Sequence, residues 1–177
     1  SADAAFVGAT RASILGAALT SAGDLTGDGL DDLVAGAPLE IHSGLNPGAA
    51  YVFSGPMSDV VNAADADAIL YGANDGDQFG ALLGATGDTD GDGYDDLLIG
   101  ANCDSTVGDD AGAAYLFAGP LSNVSDTTDA IASLYGEDID DHSGADFATD
   151  FDLNADGRPD IAVPQFFAAQ VGVILAQ

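Results

Sequence analysis

One acidic segment returns at constant spacing, and that return constrains the fold more than anything else in this 177-residue chain. The copies are Asp24–Asp32 (DLTGDGLDD), Asp88–Asp96 (DTDGDGYDD) and Asp152–Asp160 (DLNADGRPD), whose first residues stand 64 apart both times (88 − 24 and 152 − 88). The flanks return too. LVAGAP (33–38) matches LLIGAN (97–102), GAAYVFSGP (48–56) matches GAAYLFAGP (112–120), and AILYG (68–72) matches ASLYG (132–136). Self-similarity at a fixed period marks an array of stacked structural units.

The runs between the acidic loops are short, rich in Val, Ile, Leu, Tyr and Phe, and bounded by Gly, Pro, Asn or Asp, which reads as strands. Helical spacing is absent over long windows, with MSDVVNAADADA (57–68) as the one candidate helix. Each unit is predicted to hold four strands: one before the acidic loop, one after it, the GAAYxF strand and the xLYG strand. Small inner residues suit sheets stacked face to face.

The phase of the repeat adds a topological expectation. AAFVG (4–8) aligns with AILYG and ASLYG, so the chain opens on the fourth strand of a unit, and AQVGVILAQ (169–177) resembles a third strand. Complementary pieces of one unit at the two ends are the pattern of strand exchange closing a β-propeller. The expected fold is therefore all-β, a single domain of three propeller blades (about 13–72, 77–136 and 141–177), with residues 1–8 supplying a closing outer strand. Propellers have typically 4 to 8 blades, so the ring is expected to be completed by a second chain, giving a six-bladed homodimer. The competing reading is an excised part of a longer chain.

Charge narrows the partners. There are 30 acidic residues against 2 basic ones, a net charge of −28, so no basic footprint exists for nucleic acid. With 47% hydrophobic residues, a folded core is expected rather than a disordered acidic tail. No apolar stretch reaches the roughly 20 residues of a membrane span, and Ser1-Ala2-Asp3 is not the start of an export signal. The single Cys103 cannot make an internal bridge; it reads as a small apolar thiol, with an intermolecular bridge as the alternative.

In each acidic loop, positions 1, 3, 5 and 9 carry side-chain oxygens, position 6 is glycine, and position 7 can offer a backbone carbonyl. Calcium takes 6 to 8 oxygen ligands, which alternate residues of a tight turn can aim at one point. Gly29, Gly93 and Gly157 are expected to take the left-handed bend. The expected ligands are Asp24, Thr26, Asp28, the Leu30 carbonyl and Asp32 in the first loop. In the second they are Asp88, Asp90, Asp92, the Tyr94 carbonyl and Asp96. In the third they are Asp152, Asn154, Asp156, the Arg158 carbonyl and Asp160, with the Arg158 side chain pointing away. About three Ca²⁺ per chain follow, with affinity falling in the order second, third, first. An EF-hand is excluded, since its position 12 glutamate is replaced by Ala35, Ile99 and Val163. The alternative is three solvated Asp/Gly turns.

These residues resemble FG-GAP repeats of the integrin alpha-subunit β-propeller. The match is carried by Phe79-Gly80, the loop Asp88 to Asp96, and Gly36-Ala37-Pro38, and extends over nearly the whole chain. Ile14-Leu15-Gly16 and Ser143-Gly144 stand in place of FG, and Val163-Pro164-Gln165 in place of GAP. The resemblance implies calcium in hairpins on one face of a propeller and ligand recognition by loops on the other: 39–47, 102–111, 73–78 and 137–142.

No nucleophile elbow, phosphate loop or H-E-x-x-H is present, so no catalytic residues are assigned and an enzyme is not expected. His42 and His142 are isolated. His142 follows Glu137, Asp138, Asp140 and Asp141, which form either a solvated acidic loop or a further cation site. Asn123-Val124-Ser125 fits the N-glycosylation pattern. The expected function is a calcium-dependent module for protein–protein interaction or adhesion, extracellular or at the cell surface, where millimolar calcium fills weak sites. The alternative is a carbohydrate-binding propeller or the non-catalytic part of a secreted hydrolase; the ligand, protein or glycan, is not named by the sequence.

Overall fold

The computed structural model describes residues 4–8, 12–57, 59–122, 126–165 and 170–175. All of its regular elements are strands apart from two single turns of 3-10 helix, Ala63–Asp65 and Thr127–Asp129. Among the described residues no helix is long and apolar enough to cross a membrane.

Three antiparallel meanders follow the repeat. The first sheet has the order β2 (Leu19–Ser21), β3 (Leu33–Ala37), β4 (Ala49–Phe53) and β6 (Ala68–Tyr71). The second runs β7 (Leu82–Gly87), β8 (Asp96–Ala101), β9 (Ala113–Phe117) and β10 (Ala132–Tyr135). The third holds β11 (Ala148–Phe151), β12 (Asp160–Gln165) and β13 (Gln170–Ile174). Each acidic loop joins the first two strands of its sheet, as expected. The loops after β3 and β6 therefore lie at the opposite sheet ends.

The segment 57–68 departs from the expected helix. It forms β5 (Asp59–Asn62), which pairs in parallel with β1 (Ala4–Val7), and then the first 3-10 turn. Val60 and Val61 are β-branched and favour extended backbone, and only three residues after them turn. The N-terminal strand thus lies on β5, with each partner 55 residues further along (Ala4 with Asp59, Val7 with Asn62). The same separation returns one repeat later, where Tyr71 at the end of β6 bridges in parallel to Asp126 (126 − 71). By that register β1 takes the place of an outer strand preceding the first sheet.

Both faces of the inner strands are covered, so their burial is continuous while the partner alternates. On β4, Ala50 and Val52 join a core shared with Leu97, Ile99, Tyr115 and Phe117 of the second sheet. Ala49, Tyr51 and Phe53 turn to the other side, where Phe6 and Val61 pack. On β9 and β8, Leu116 and Leu98 instead meet Ile161 and Val163 of the third sheet. Phe79 is fully buried and lies edge-on to Phe117. Full burial of such a side chain contributes about 1.5–3 kcal/mol, so stacking holds the array together.

Close stacking requires glycine at one place in particular. A methyl added at Gly36 on β3 would land on the carbonyl oxygen of Gly80, and one added at Gly100 on β8 would land on that of Gly144. The paired glycines of the repeat motif are points where the backbones of neighbouring sheets touch. We expect Gly36→Ala and Gly100→Ala each to cost about 3 kcal/mol or more, because backbone cannot yield as a side chain can. Gly44→Ala, at φ 84° in open space, should cost only about 1–2 kcal/mol. Urea denaturation checks the ranking, and equal losses at the three positions would contradict it.

Candidate functional site

The three acidic loops share one internal construction. The carboxylate at position 1 turns inward over its own loop and collects backbone N–H donors. Asp24 accepts from Gly27 and Gly29 at 2.7 and 3.0 Å. Asp88 accepts from Gly91, Asp92 and Gly93 at 2.6, 3.1 and 2.9 Å, and Asp152 from Asp156 and Gly157 at 3.2 and 2.9 Å. The position 6 glycines are left-handed, at φ 85°, 97° and 88°. Position 4 is left-handed as well, at Gly27, Gly91 and Ala155; two such bends curl the loop into a nest of N–H groups.

The last aspartate of each loop is buried: Asp32, Asp96 and Asp160 are at most 1% exposed. It ties the loop to the sheet. Asp96 accepts from the backbone N–H and the hydroxyl of Thr89 and, at 3.0 Å, from the N–H of Gly119 beyond β9. Asp32 accepts from Thr26 and Gly55, and Asp160 from Leu153. Burial pushes the carboxyls of Asp32 and Asp96 above the ordinary range, with the hydrogen bonds opposing it.

The second loop goes furthest. Asp88, Asp90 and Asp96 each bring a carboxylate oxygen within 4.8 Å of the others, and among the described residues no other trio of His, Cys, Asp or Glu does so. These residue types fit a hard divalent cation: all donors are oxygens, and one carboxylate is buried. Asp92 is not part of the trio; its carboxylate accepts from Tyr94 N–H at 2.9 Å. The equivalent Asp28 and Asp156 cap Leu30 and Arg158 in the same way. In the third loop, Asn154 donates from its amide to Asp156 at 2.9 Å.

Adjacent loops are joined, which the repeat alone did not reveal. Asp95 accepts from the N–H of Asp24 in the first loop at 2.8 Å. Arg158 leaves its own loop, as expected, but it reaches the second, donating to the Asp90 carbonyl at 2.7 Å. One of the two basic residues of the chain thus stands against the tightest cluster of acids.

At the other end of the sheets the loops 39–47, 73–78, 102–111 and 137–142 meet in pairs. Asn46 N–H donates to Asp75 at 2.8 Å, linking 39–47 to 73–78, and Asp140 N–H donates to the Asp109 carbonyl at 3.0 Å, linking 102–111 to 137–142. Here lie acids whose burial the sequence does not announce: Glu40, Asp77, Asp104 and Asp141. Asp104 accepts from the Tyr115 hydroxyl at 2.6 Å, and Asp141 collects the N–H groups of Glu137 and Asp138, ordering the acidic loop before His142. The signal was present in the repeat, since Asp77 and Asp141 stand 64 apart (141 − 77), as do Tyr51 and Tyr115. His142 contacts the Asn102 carbonyl through its ring at 3.0 Å. His42 stacks on Tyr71 at 3.8 Å, on the wall of a 490 Å³ cavity reaching Asp126 and Thr128. Cys103 is half-buried, its sulfur facing the Gln78 amide at 3.2 Å, and burial pushes its thiol up. Asn123-Val124-Ser125 lies outside the described residues.

With that geometry in place, the chain can be compared with known proteins. The FG-GAP repeat family matches residues 15–53. The chain is 32% identical over 168 residues to integrin alpha-5 of Xenopus laevis, covering 91% of this chain and 15% of that one. It is 30% identical over 166 residues to human integrin alpha-IIb, covering 87% and 15%. It is 32% identical over 180 residues to the phosphatidylinositol-glycan-specific phospholipase D of Bos taurus, covering 92% and 20%. The chain thus carries an FG-GAP repeat match in its first unit and is similar over most of its length to integrin alpha subunits, and it spans less than a quarter of the length of each of these relatives.

The buried acids predict a pH dependence. Burial, reinforced by Asp104, pushes Asp77 up to about 6, against the pull of the Asn74 N–H. The folded form holds a proton there that the unfolded chain has released, so this group's contribution to stability falls as pH rises from about 4 to about 6. With metal chelated, Asp77→Asn should melt higher than wild type at pH 7.5, and the difference should close by pH 4. A difference independent of pH would contradict a buried, ionisable Asp77.

Proposed function

We propose that the chain is a calcium-binding, integrin-like propeller module that mediates protein–protein interaction or adhesion outside the cell or at its surface, and that it is not itself catalytic. The observation that carries the reading is the convergence of Asp88, Asp90 and Asp96 in a loop that occurs three times. In the proposed cages Asp92 and the Tyr94 carbonyl add to that trio. Asp24, Thr26, Asp28, the Leu30 carbonyl and Asp32 hold the first ion, and Asp152, Asn154, Asp156, the Arg158 carbonyl and Asp160 the third. The bound ion would supply charge that the crowded carboxylates lack. Its role is to fix the loops and stiffen the sheet ends, leaving the four loops at the other end free to bind a partner.

The likeness to integrin alpha subunits supports adhesion, and the likeness to a phospholipase D supports a second reading, the non-catalytic part of a secreted hydrolase. Both use the same cages. They part on the partner: a cell-surface or matrix protein in the first case, a catalytic domain in the second.

Calorimetric titration of Ca²⁺ into stripped protein tests the cages. The tightest binding event should be lost or weakened at least tenfold in Asp90→Asn, because charge count sets affinity, while Asp28→Asn should leave that event in place. Superimposable isotherms for wild type and Asp90→Asn would overturn the assignment.

A further inference from the structure

In the second and third acidic loops the side chain at position 7 reaches back to the loop before it. A methyl added at Gly27 would meet the Tyr94 ring, and one added at Gly91, one repeat further on (91 − 27 = 64), would meet the Arg158 guanidinium. Packing over the preceding loop needs no charge, since Tyr94 does it with none. The positive charge of Arg158 therefore has to be accounted for separately.

The neighbouring position changes in the same sense. At the junction of the first two loops, Asp95 follows Tyr94, and its carboxylate accepts from the N–H of Asp24 at 2.8 Å beside Gly23. At the junction of the second and third loops its equivalent is Pro159 (95 + 64 = 159), which faces Gly87 and carries no charge. The pair turned toward the preceding loop thus changes from Tyr94-Asp95 to Arg158-Pro159, from one negative charge to one positive. The loop that receives the positive charge is the second, in which Asp88, Asp90 and Asp96 converge. Arg158 is half-buried there and donates to the Asp90 carbonyl at 2.7 Å.

We propose that Arg158 is a built-in counter-charge of the second loop, which stabilises the crowded carboxylates and at the same time weakens their binding of a divalent cation. The inference rests on the calcium cages proposed above. Coulomb's law fixes the sign: a fixed positive charge lowers the free energy of the empty cluster more than that of the filled one, because the ion adds two further positive charges. The arginine side chain has no acceptor and cannot ligate the ion, so Arg158 acts through position and charge. Its main-chain carbonyl, assigned to the third cage, is retained in every side-chain substitution. An arginine that served packing alone would support stability and affinity together, whereas a counter-charge supports the first at the expense of the second.

Arg158→Tyr tests this, since it keeps a ring for Gly91 as Tyr94 does for Gly27 and removes the charge. In metal-stripped protein at about 10 mM salt, where the Debye length is about 30 Å, the variant should melt below wild type. In calorimetric titration at the same salt its tightest Ca²⁺ event, the one lost in Asp90→Asn, should tighten about three- to tenfold. At about 1 M salt, with a Debye length of about 3 Å, both differences should all but vanish. Arg158→Lys, which retains the charge, should restore most of the wild-type weakening. Ca²⁺ binding that is unchanged or weaker in Arg158→Tyr would overturn the inference and leave the cages standing. A stripped variant melting at or above wild type, a tightening equal at both salt concentrations, or one equally large in Arg158→Lys would do the same. Absence of any Ca²⁺ heat from the wild-type protein would overturn the cages and this inference with them.

Discussion

The buried carboxylate that closes each acidic loop is the contact on which the other features of the site depend. Asp32, Asp96 and Asp160 are the first residues of, or directly precede, the central apolar strands, yet they are at most 1% exposed. A carboxylate in that position is unfavourable unless donors surround it. The N–H groups of Thr26, Thr89 and Leu153 supply them from the start of the loop, and those of Gly55 and Gly119 from the next turn. The loop is thereby drawn back over its own sheet, and in the second copy this brings Asp88 and Asp90 up to Asp96. The acids are crowded by the same bonds that hold the strand in register.

On the proposed function, that crowding is the source of both instability and metal binding. Like charges within a few ångströms repel, and the low-dielectric sheet end screens them poorly. A divalent cation would relieve the repulsion, and on the proposed function its binding would be coupled to the folding of the loops. Arg158 offers partial relief to the second loop through the Asp90 carbonyl, and Asp95 links the second loop to the first. The three loops are consequently neighbours along one end of the stacked sheets.

Much of this was legible in the sequence because it is local and repeated. The 64-residue period located every acidic loop, the strands on either side, and the left-handed glycines Gly29, Gly93 and Gly157. What escaped depends on contacts between distant residues. The spacing of residues 57–68 suggests a helix, but Val60 and Val61 favour extended backbone and residues 59–62 pair as a strand with β1. The second bend at Gly27, Gly91 and Ala155 is fixed by the position 1 carboxylate and by the neighbouring loop, which lays Tyr94 and Arg158 beside Gly27 and Gly91. Asp77 and Asp104 read as solvated loop acids until the Asn74 N–H and the Tyr115 hydroxyl are seen to bury them. Arg158 gives no hint in one dimension that its guanidinium serves the preceding repeat.

The most direct measurement of the central claim is the thermal stability of metal-stripped protein as Ca²⁺ is added. Binding to the folded state alone stabilises by about 2.7 kcal/mol at a hundredfold excess over Kd, so the melting temperature should climb steadily with calcium and the climb should be cut back in Asp96→Asn. A melting temperature that ignores calcium from micromolar to tens of millimolar would contradict the account.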